Sequence, residues 1–164
     1  MPPPLVVPIE LVLDATTHVG VVAAAKLGDR YYLVGGMREG FALVDDCEAY
    51  DFGDGKWHAV PGPIRPRLSA ELVALGDRLY LAGGSSRSAG GGDLSSDRSI
   101  EVLDPSTGQW TLLLEELPID TRHMRMLPWR ERLLVVSTHD ERPVAHVLVI
   151  DPGESLAGRA HDRG

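Results

Sequence analysis

Two ten-residue segments of this chain are nearly identical. The segment LGDRYYLVGG at 27–36 and the segment LGDRLYLAGG at 75–84 agree at eight of ten positions and begin 48 residues apart. A repeat of this length is typical of a supersecondary unit that buries its apolar face only by stacking on its neighbours. The repeat therefore predicts a chain of similar modules packed one on another.

Each copy predicts a β-hairpin. In the first copy, apolar runs at 19–26 and 30–34 flank Gly28 and Asp29, a pair that suits a two-residue type II′ turn. A double glycine then ends the second strand of each hairpin, where we expect positive φ or close backbone approach. These glycines are Gly35, Gly36, Gly83 and Gly84.

A third strand that ends in aspartate follows each hairpin. It is seen as CEAYD at 47–51, SIEVLDP at 99–105 and AHVLVIDP at 145–152. In the first two units, turn residues lead on to a tryptophan, Trp57 or Trp110, that opens a fourth strand. The third unit, with LPWRERLLVVST at 127–138 as its hairpin, has Ser-Thr in place of the glycine pair and no tryptophan after its third strand.

This pattern resembles the Kelch repeat, and the quoted segments cover nearly the whole chain. The resemblance implies an all-β fold of the β-propeller type, with three four-stranded blades per chain and the double glycines and tryptophans as structural positions. We expect an N-terminal strand at 1–18 that completes a blade, three repeats over 19–152 and a polar C-terminal tail at 153–164. The three expected repeats span about 19–63, 64–118 and 119–152.

Counting strands predicts an assembly. The last repeat stops after its third strand, while the apolar segment Leu5 to Leu13 belongs to no repeat. Three blades leave two open faces, whereas propellers have about four to eight blades. A homodimer related by a two-fold axis would close a six-bladed ring, with each N-terminal strand filling the vacant slot of the other chain. The alternative is completion by a different chain.

Composition narrows the function classes. A net charge of −8 argues against nucleic acid and anionic membrane as partners, because both favour clustered basic residues. No apolar run approaches the ~18 residues of a membrane span, and we expect a cytoplasmic protein. Cys47 is the single cysteine, so it has no partner for an internal disulfide.

The loops predict where a partner binds. In propeller geometry, the connections near 37–46, 85–98 and 139–144 and the inter-blade segments surround one mouth of the channel. They carry eight of the fourteen arginines. Since a guanidinium suits carboxylates, this face predicts an acidic peptide or another anion as ligand. The alternative is that arginines gather here because loops are exposed, with neighbouring acidic residues offsetting their charge. The candidate residues are Arg38, Arg65, Arg67, Arg87, Arg122, His123 and Arg142.

The favoured function is a noncatalytic protein-interaction module or scaffold, with no catalytic residues, metal or cofactor expected. The alternative is a carbohydrate-active enzyme, similar to an epimerase or mutarotase, with an anion-binding site at the channel mouth. Its candidate residues are Arg65, Arg67, Arg122, His123 and Glu116. A further aromatic, Trp129, lies at the turn of the third unit and is expected to be an exposed anchor on the outer rim.

Overall fold

The structure is a computed structural model that describes residues 20, 22–40, 42–87, 92–139 and 142–153. The segments 1–18 and 154–164, with the expected N-terminal strand and most of the expected tail, lie outside these residues. The described residues form strands and contain no helix. The strands are β1 (Ala23–Leu27), β2 (Arg30–Val34), β3 (Cys47–Asp51), β4 (Lys56–Val60), β5 (Arg67–Leu68), β6 (Glu71–Leu75), β7 (Arg78–Ala82), β8 (Ser85–Arg87), β9 (Leu94–Ser96), β10 (Ile100–Asp104), β11 (Gln109–Leu114), β12 (Met124–Trp129), β13 (Arg132–His139) and β14 (Arg142–Ile150).

Three antiparallel sheets follow one another along the chain. Sheet 1 has the order β1-β2-β3-β4, sheet 2 the order β6-β7-β10-β11, and sheet 3 the order β12-β13-β14. A small sheet, β5-β8-β9, forms beside sheet 2. The predicted all-β fold of antiparallel sheets, four-stranded in the first two units, is confirmed.

Both predicted Gly-Asp turns have type II′ geometry. Gly28 has φ +58° and Gly76 has φ +62°. The aspartates that follow them, Asp29 and Asp77, are not among the described non-glycine residues with positive φ. A positive φ at the first central position alone defines this turn, whose twist matches that of the flanking strands.

The first glycine of each pair lies against the chain that enters the next sheet. Gly35 has φ +66°, and a Cβ there would overlap the carbonyl oxygen of Arg67. Gly83 has φ +67°, and a Cβ there would lie 2.7 Å from Met124 Cε. The glycines are therefore required by backbone conformation and by contact between sheets.

The core lies between the sheets. The face of each sheet that is directed at the next sheet in chain order is called its forward face, and the opposite face its backward face. One buried cluster joins the forward face of sheet 1 to the backward face of sheet 2, and a second joins sheets 2 and 3 in the same way. The first contains Ala23, Tyr32, Val34, Cys47, Ala49, Leu72, Leu79, Leu81, Leu103 and Trp110. The second contains Tyr80, Ala82, Ile100, Val102, Leu117, Ile119, Met124, Met126, Leu133 and Val135.

Strand residues occupy parts of two expected loops. The expectation of a loop at 139–144 was wrong in its bounds, because β13 extends to His139 and β14 begins at Arg142. The loop expected at 85–98 contains the short hairpin of β8 and β9. Ser137 continues β13 in sheet 3 where the glycines with positive φ end the second strands of the first two sheets, so the chain runs straight on into a longer hairpin.

Candidate functional site

Three arginines from two separate segments line one cleft of about 690 Å³. We call it the arginine cleft, after Arg65, Arg87 and Arg98. The segment between sheets 1 and 2 forms one wall, and the β8–β9 hairpin with the residues after it forms the other. The remaining lining residues are Ile64, Pro66, Ser86, Ser95, Ser96 and Asp97. The structure therefore brings the predicted Arg65 and Arg87 together.

Surface carboxylates hold two of these arginines in place. Arg65 forms an ion pair with Glu115, whose side chain is 66% exposed. Arg98 donates to Glu116 at 2.7 Å and to the carbonyl of Leu117 at 2.9 Å. Exposed pairs of this kind contribute only about 0–1 kcal/mol, so an incoming anion can replace the acidic partner at small cost.

Arg87 differs from the other two. Its guanidinium donates to the carbonyl of Gly92 at 2.8 Å. Within the described ranges, it forms no ion pair with a carboxylate. Arg87 is exposed on the β8–β9 hairpin, and its charge is therefore available to a ligand in the cleft.

A buried carboxylate lies at the base of the cleft. Asp97 is 5% exposed and accepts hydrogen bonds from Ser86 Oγ at 2.7 Å and from Ser99 Oγ at 2.6 Å. Burial alone would raise the Asp97 pKa, but the Ser99 hydrogen bonds, the Arg67 charge and the Ser86 hydrogen bond together lower it. Asp97 is thus held ionised as part of the scaffold.

Arg67 is buried below this cleft. Its guanidinium forms ion pairs with Asp97 at 3.0 Å and with Glu101, and it donates to Ser99 Oγ at 3.0 Å. Glu101 also accepts the backbone N–H of Ile64 at 2.7 Å. Because the Arg67 side chain has no exposed surface, it contributes to folding and is not accessible to a ligand in the cleft.

A second cleft, of about 410 Å³, lies between sheets 2 and 3. It is lined by Arg122 and His123 together with Glu71, Thr121 and Arg125. The residues of the enzyme alternative are consequently divided: Arg122 and His123 line this cleft, Arg65 lines the first, Glu116 is paired with Arg98, and Arg67 is buried. The described residues do not bring that set together.

Arg38 lines neither cleft. Arg38 forms an ion pair with Asp46 at 2.6 Å, and both side chains are more than 40% exposed. Arg142 begins β14, and its side chain lies outside what the structure describes.

Trp57 and Trp110 occupy equivalent positions in sheets 1 and 2 but have different surroundings. Trp110 lies in the junction of sheets 1 and 2, where its indole N–H donates to the carbonyl of Pro61 at 2.7 Å. Trp57 lies at the same register position in sheet 1, on the backward face, with its ring centroid 5.3 Å from that of Tyr50. Trp110 therefore joins two sheets, while Trp57 faces away from sheet 2.

Cys47 is buried in the same junction. Burial, with a smaller contribution from the charge of Glu48, raises the pKa of its thiol to about 12. Since the thiolate is the reactive form, Cys47 acts as a small packed side chain at neutral pH.

One group of residues that could hold a metal ion was not predicted from the sequence. Asp51, Asp54 and His58 offer ligand atoms within 4.8 Å of one another at the end of the β3–β4 hairpin. However, Asp51 accepts hydrogen bonds from Gly53 and Arg30, and Asp54 accepts from Lys56. Aspartate side chains that accept hydrogen bonds from nearby backbone N–H groups are typical of a turn.

The described residues contain no helix that is long and apolar enough to cross a membrane.

Comparison with known proteins identifies the repeat. A family model described as "Kelch motif" matches residues 66–113. The human Kelch repeat and BTB domain-containing protein 13 is 33% identical over 106 residues, which are 64% of this chain and 21% of that protein. The chain therefore contains a Kelch motif and is similar to Kelch-repeat proteins.

Other Kelch proteins give the same result. Human Kelch-like protein 34 is 32% identical over 107 residues, or 62% of this chain and 16% of that protein. A solved structure described as "Structure of YjhT" superimposes with a TM-score of 0.60 at 20% identity, covering 71% of this chain and 33% of that one. This last likeness concerns the fold alone. The chain spans only about a fifth of the length of the two human relatives.

Proposed function

We propose that this Kelch-repeat chain is a noncatalytic interaction module that holds an acidic segment of a partner protein in the arginine cleft. The observation that carries the proposal is the convergence of Arg65, Arg87 and Arg98 on one opening. Its likeness to proteins that combine Kelch repeats with BTB domains favours a binding role.

The chemistry of the cleft favours carboxylate ligands. A guanidinium donates two parallel hydrogen bonds to a carboxylate, which gives both affinity and orientation. Ser86, Ser95 and Ser96 add hydroxyls to the lining, which can donate to ligand oxygens. Because the chain as a whole carries a charge of −8, its overall charge does not attract an acidic ligand. Binding therefore depends on the local cluster of arginines in the cleft.

Fluorescence anisotropy with a labelled decapeptide of alternating Glu and Gly tests this proposal. We expect binding by the natural chain that weakens as salt rises, and at least tenfold weaker binding by the R65A/R87A/R98A variant. The matched control R30A/R78A/R132A removes the same charge from the starts of three second strands. Equal affinity of the two triple variants would contradict a role for the cleft.

We also propose that a second copy of the chain completes a six-bladed ring, with Leu5 to Leu13 of one copy paired beside β14 of the other. Within the described part of the chain, β14 pairs only with β13, which leaves an open strand edge. Such edges are normally covered, because they pair with other chains.

Light scattering on the purified chain tests the closure. We expect twice the 17.8 kDa mass of one chain, and loss of that dimer when residues 1–13 are deleted. A stable monomer would contradict closure by a second copy, while a well-behaved dimer of the deleted chain would contradict strand exchange alone.

A further inference from the structure

The forward face of sheet 3 is an exposed apolar surface. Of the eight large hydrophobic side chains exposed among the described residues, four lie on it: Leu127 (52%), Trp129 (43%), Val147 (56%) and Val149 (50%). The register places half-buried Leu134 and Val136 between them on the same side. The apolar surface therefore extends across all three strands of the sheet.

The equivalent positions on the forward face of sheet 2 are buried against the next sheet. The hairpin turns of sheets 2 and 3 begin at Gly76 and Arg130, which are 54 residues apart. The positions of Leu134 and Val136 are thus occupied in sheet 2 by Tyr80 and Ala82. Both of those residues are buried against sheet 3. By its register, the forward face of sheet 3 is one half of a sheet-to-sheet junction.

The backward face of sheet 1 has the register of the other half. Its Tyr31, Tyr50 and Trp57 form one row of paired residues across β2, β3 and β4. The corresponding row in sheet 2 is Leu79, Leu103 and Trp110. That second row is buried in the junction with sheet 1. The backward face of sheet 1 is therefore equivalent to the face of sheet 2 that packs against a forward face.

We propose that the forward face of sheet 3 docks on the backward face of sheet 1 in a second copy of this chain, and that the same contact forms twice in a two-fold symmetric pair. The inference rests on the proposed closure by a second copy and names the surfaces that meet. Both internal junctions join a forward face to a backward face. Repeating that junction at both open ends continues the row of sheets until it closes.

Two variants separate this arrangement from its alternatives. The forward-face variant V147E/V149E places two carboxylates on sheet 3, and the backward-face variant Y31E/A59E places two on sheet 1. The matched control Q109E/L112E adds two carboxylates on β11, where both side chains are exposed. Each is examined by light scattering, with circular dichroism to follow folding.

We expect the natural chain and the control to have the mass of two chains, and each face variant alone the mass of one. Mixing the two face variants in equal amounts restores the two-chain mass, because one junction then joins two unaltered faces. This recovery also shows that both variants are folded. The milder V147S/V149S variant is expected to weaken the dimer at least tenfold.

Three results would overturn the proposal or its basis. A dimer of the backward-face variant alone would mean that two forward faces pack on each other. If the natural chain and both face variants are all dimers, the proposed contact between these two faces is wrong, but closure by a second copy is not contradicted. A monomeric natural chain would contradict closure by a second copy. The proposal that the arginine cleft binds an acidic peptide would be unaffected, because the anisotropy experiment tests it independently.

Discussion

At the scale of single residues, the chain uses its arginines in two ways. Arg67 is buried and surrounded by two carboxylates and a serine, while Arg65 and Arg98 form exposed pairs. A buried charge that loses its partner is far more costly than an exposed one. The arginines of this face therefore divide into one that stabilises the fold and others that are open to ligands.

Replacing Arg67 with alanine is expected to lower the free energy of unfolding by about 3–5 kcal/mol, because two buried carboxylates lose their positive partner. The matched change R98A breaks an exposed pair with Glu116 and is expected to cost about 1 kcal/mol or less. Urea unfolding followed by tryptophan fluorescence measures both. Equal effects would mean that the buried network contributes no more than the exposed pair.

Asp97 makes stability depend on acid pH. Its pKa in the folded chain is lower than the ordinary value of 3.8. The stabilisation is therefore fully present above that ordinary value and is lost as pH falls through the folded pKa. We expect D97N to be less stable than the natural chain at pH 7 and to lose less stability between pH 5 and pH 2. Urea unfolding across this range measures the difference, and parallel curves would contradict it.

The sequence predicted that arginines gather in these loops, but it did not separate Arg67 from the rest. Its partners lie about 30 residues further along the chain, and only folding brings them together. One signal was available. Glu101 stands within the apolar third strand at 99–105, and an acidic residue in such a strand predicts a buried cation beside it.

At the scale of elements, local patterns were sufficient for the hairpins. The predicted strand at 30–34 agrees with β2, and the CEAYD segment agrees with β3. The third unit differed because Ser137 and Thr138 do not stop β13, which extends to His139. Whether a loop or a strand continuation follows depends on pairing with β14, which the local sequence does not specify.

Two glycines of sheet 1 test whether the double glycine serves the junction between sheets. Gly28 and Gly35 both have left-handed φ, +58° and +66°, but only Gly35 lies against the next sheet. We expect G28A to cost about 1 kcal/mol from backbone strain alone. G35A should cost about 1–3 kcal/mol more, because its Cβ meets the Arg67 backbone. Thermal unfolding compares the two, and equal losses would exclude a steric role for Gly35.

At the scale of the whole molecule, repetition predicted the row of sheets, since a repeated unit with two apolar faces must stack. It did not give the shapes of the clefts. The arginine cleft arises where the segment between sheets 1 and 2 meets the β8–β9 hairpin, and that hairpin lies in a stretch where the first repeat has no matching sequence. The candidate site thus depends on the part of the chain that repeats least.

Stacking also has a consequence for stability. If sheets 1 and 3 each bury a face against a second copy, unfolding is linked to dissociation, and the midpoint of thermal unfolding rises with protein concentration. We expect an increase of a few degrees over a hundredfold range of concentration, measured by differential scanning fluorimetry. The V147E/V149E variant should show a lower midpoint that is independent of concentration. The Q109E/L112E control should behave like the natural chain, because its charges lie on an exposed strand outside both open faces. A concentration-independent midpoint in the natural chain would mean that its three sheets are stable without a partner.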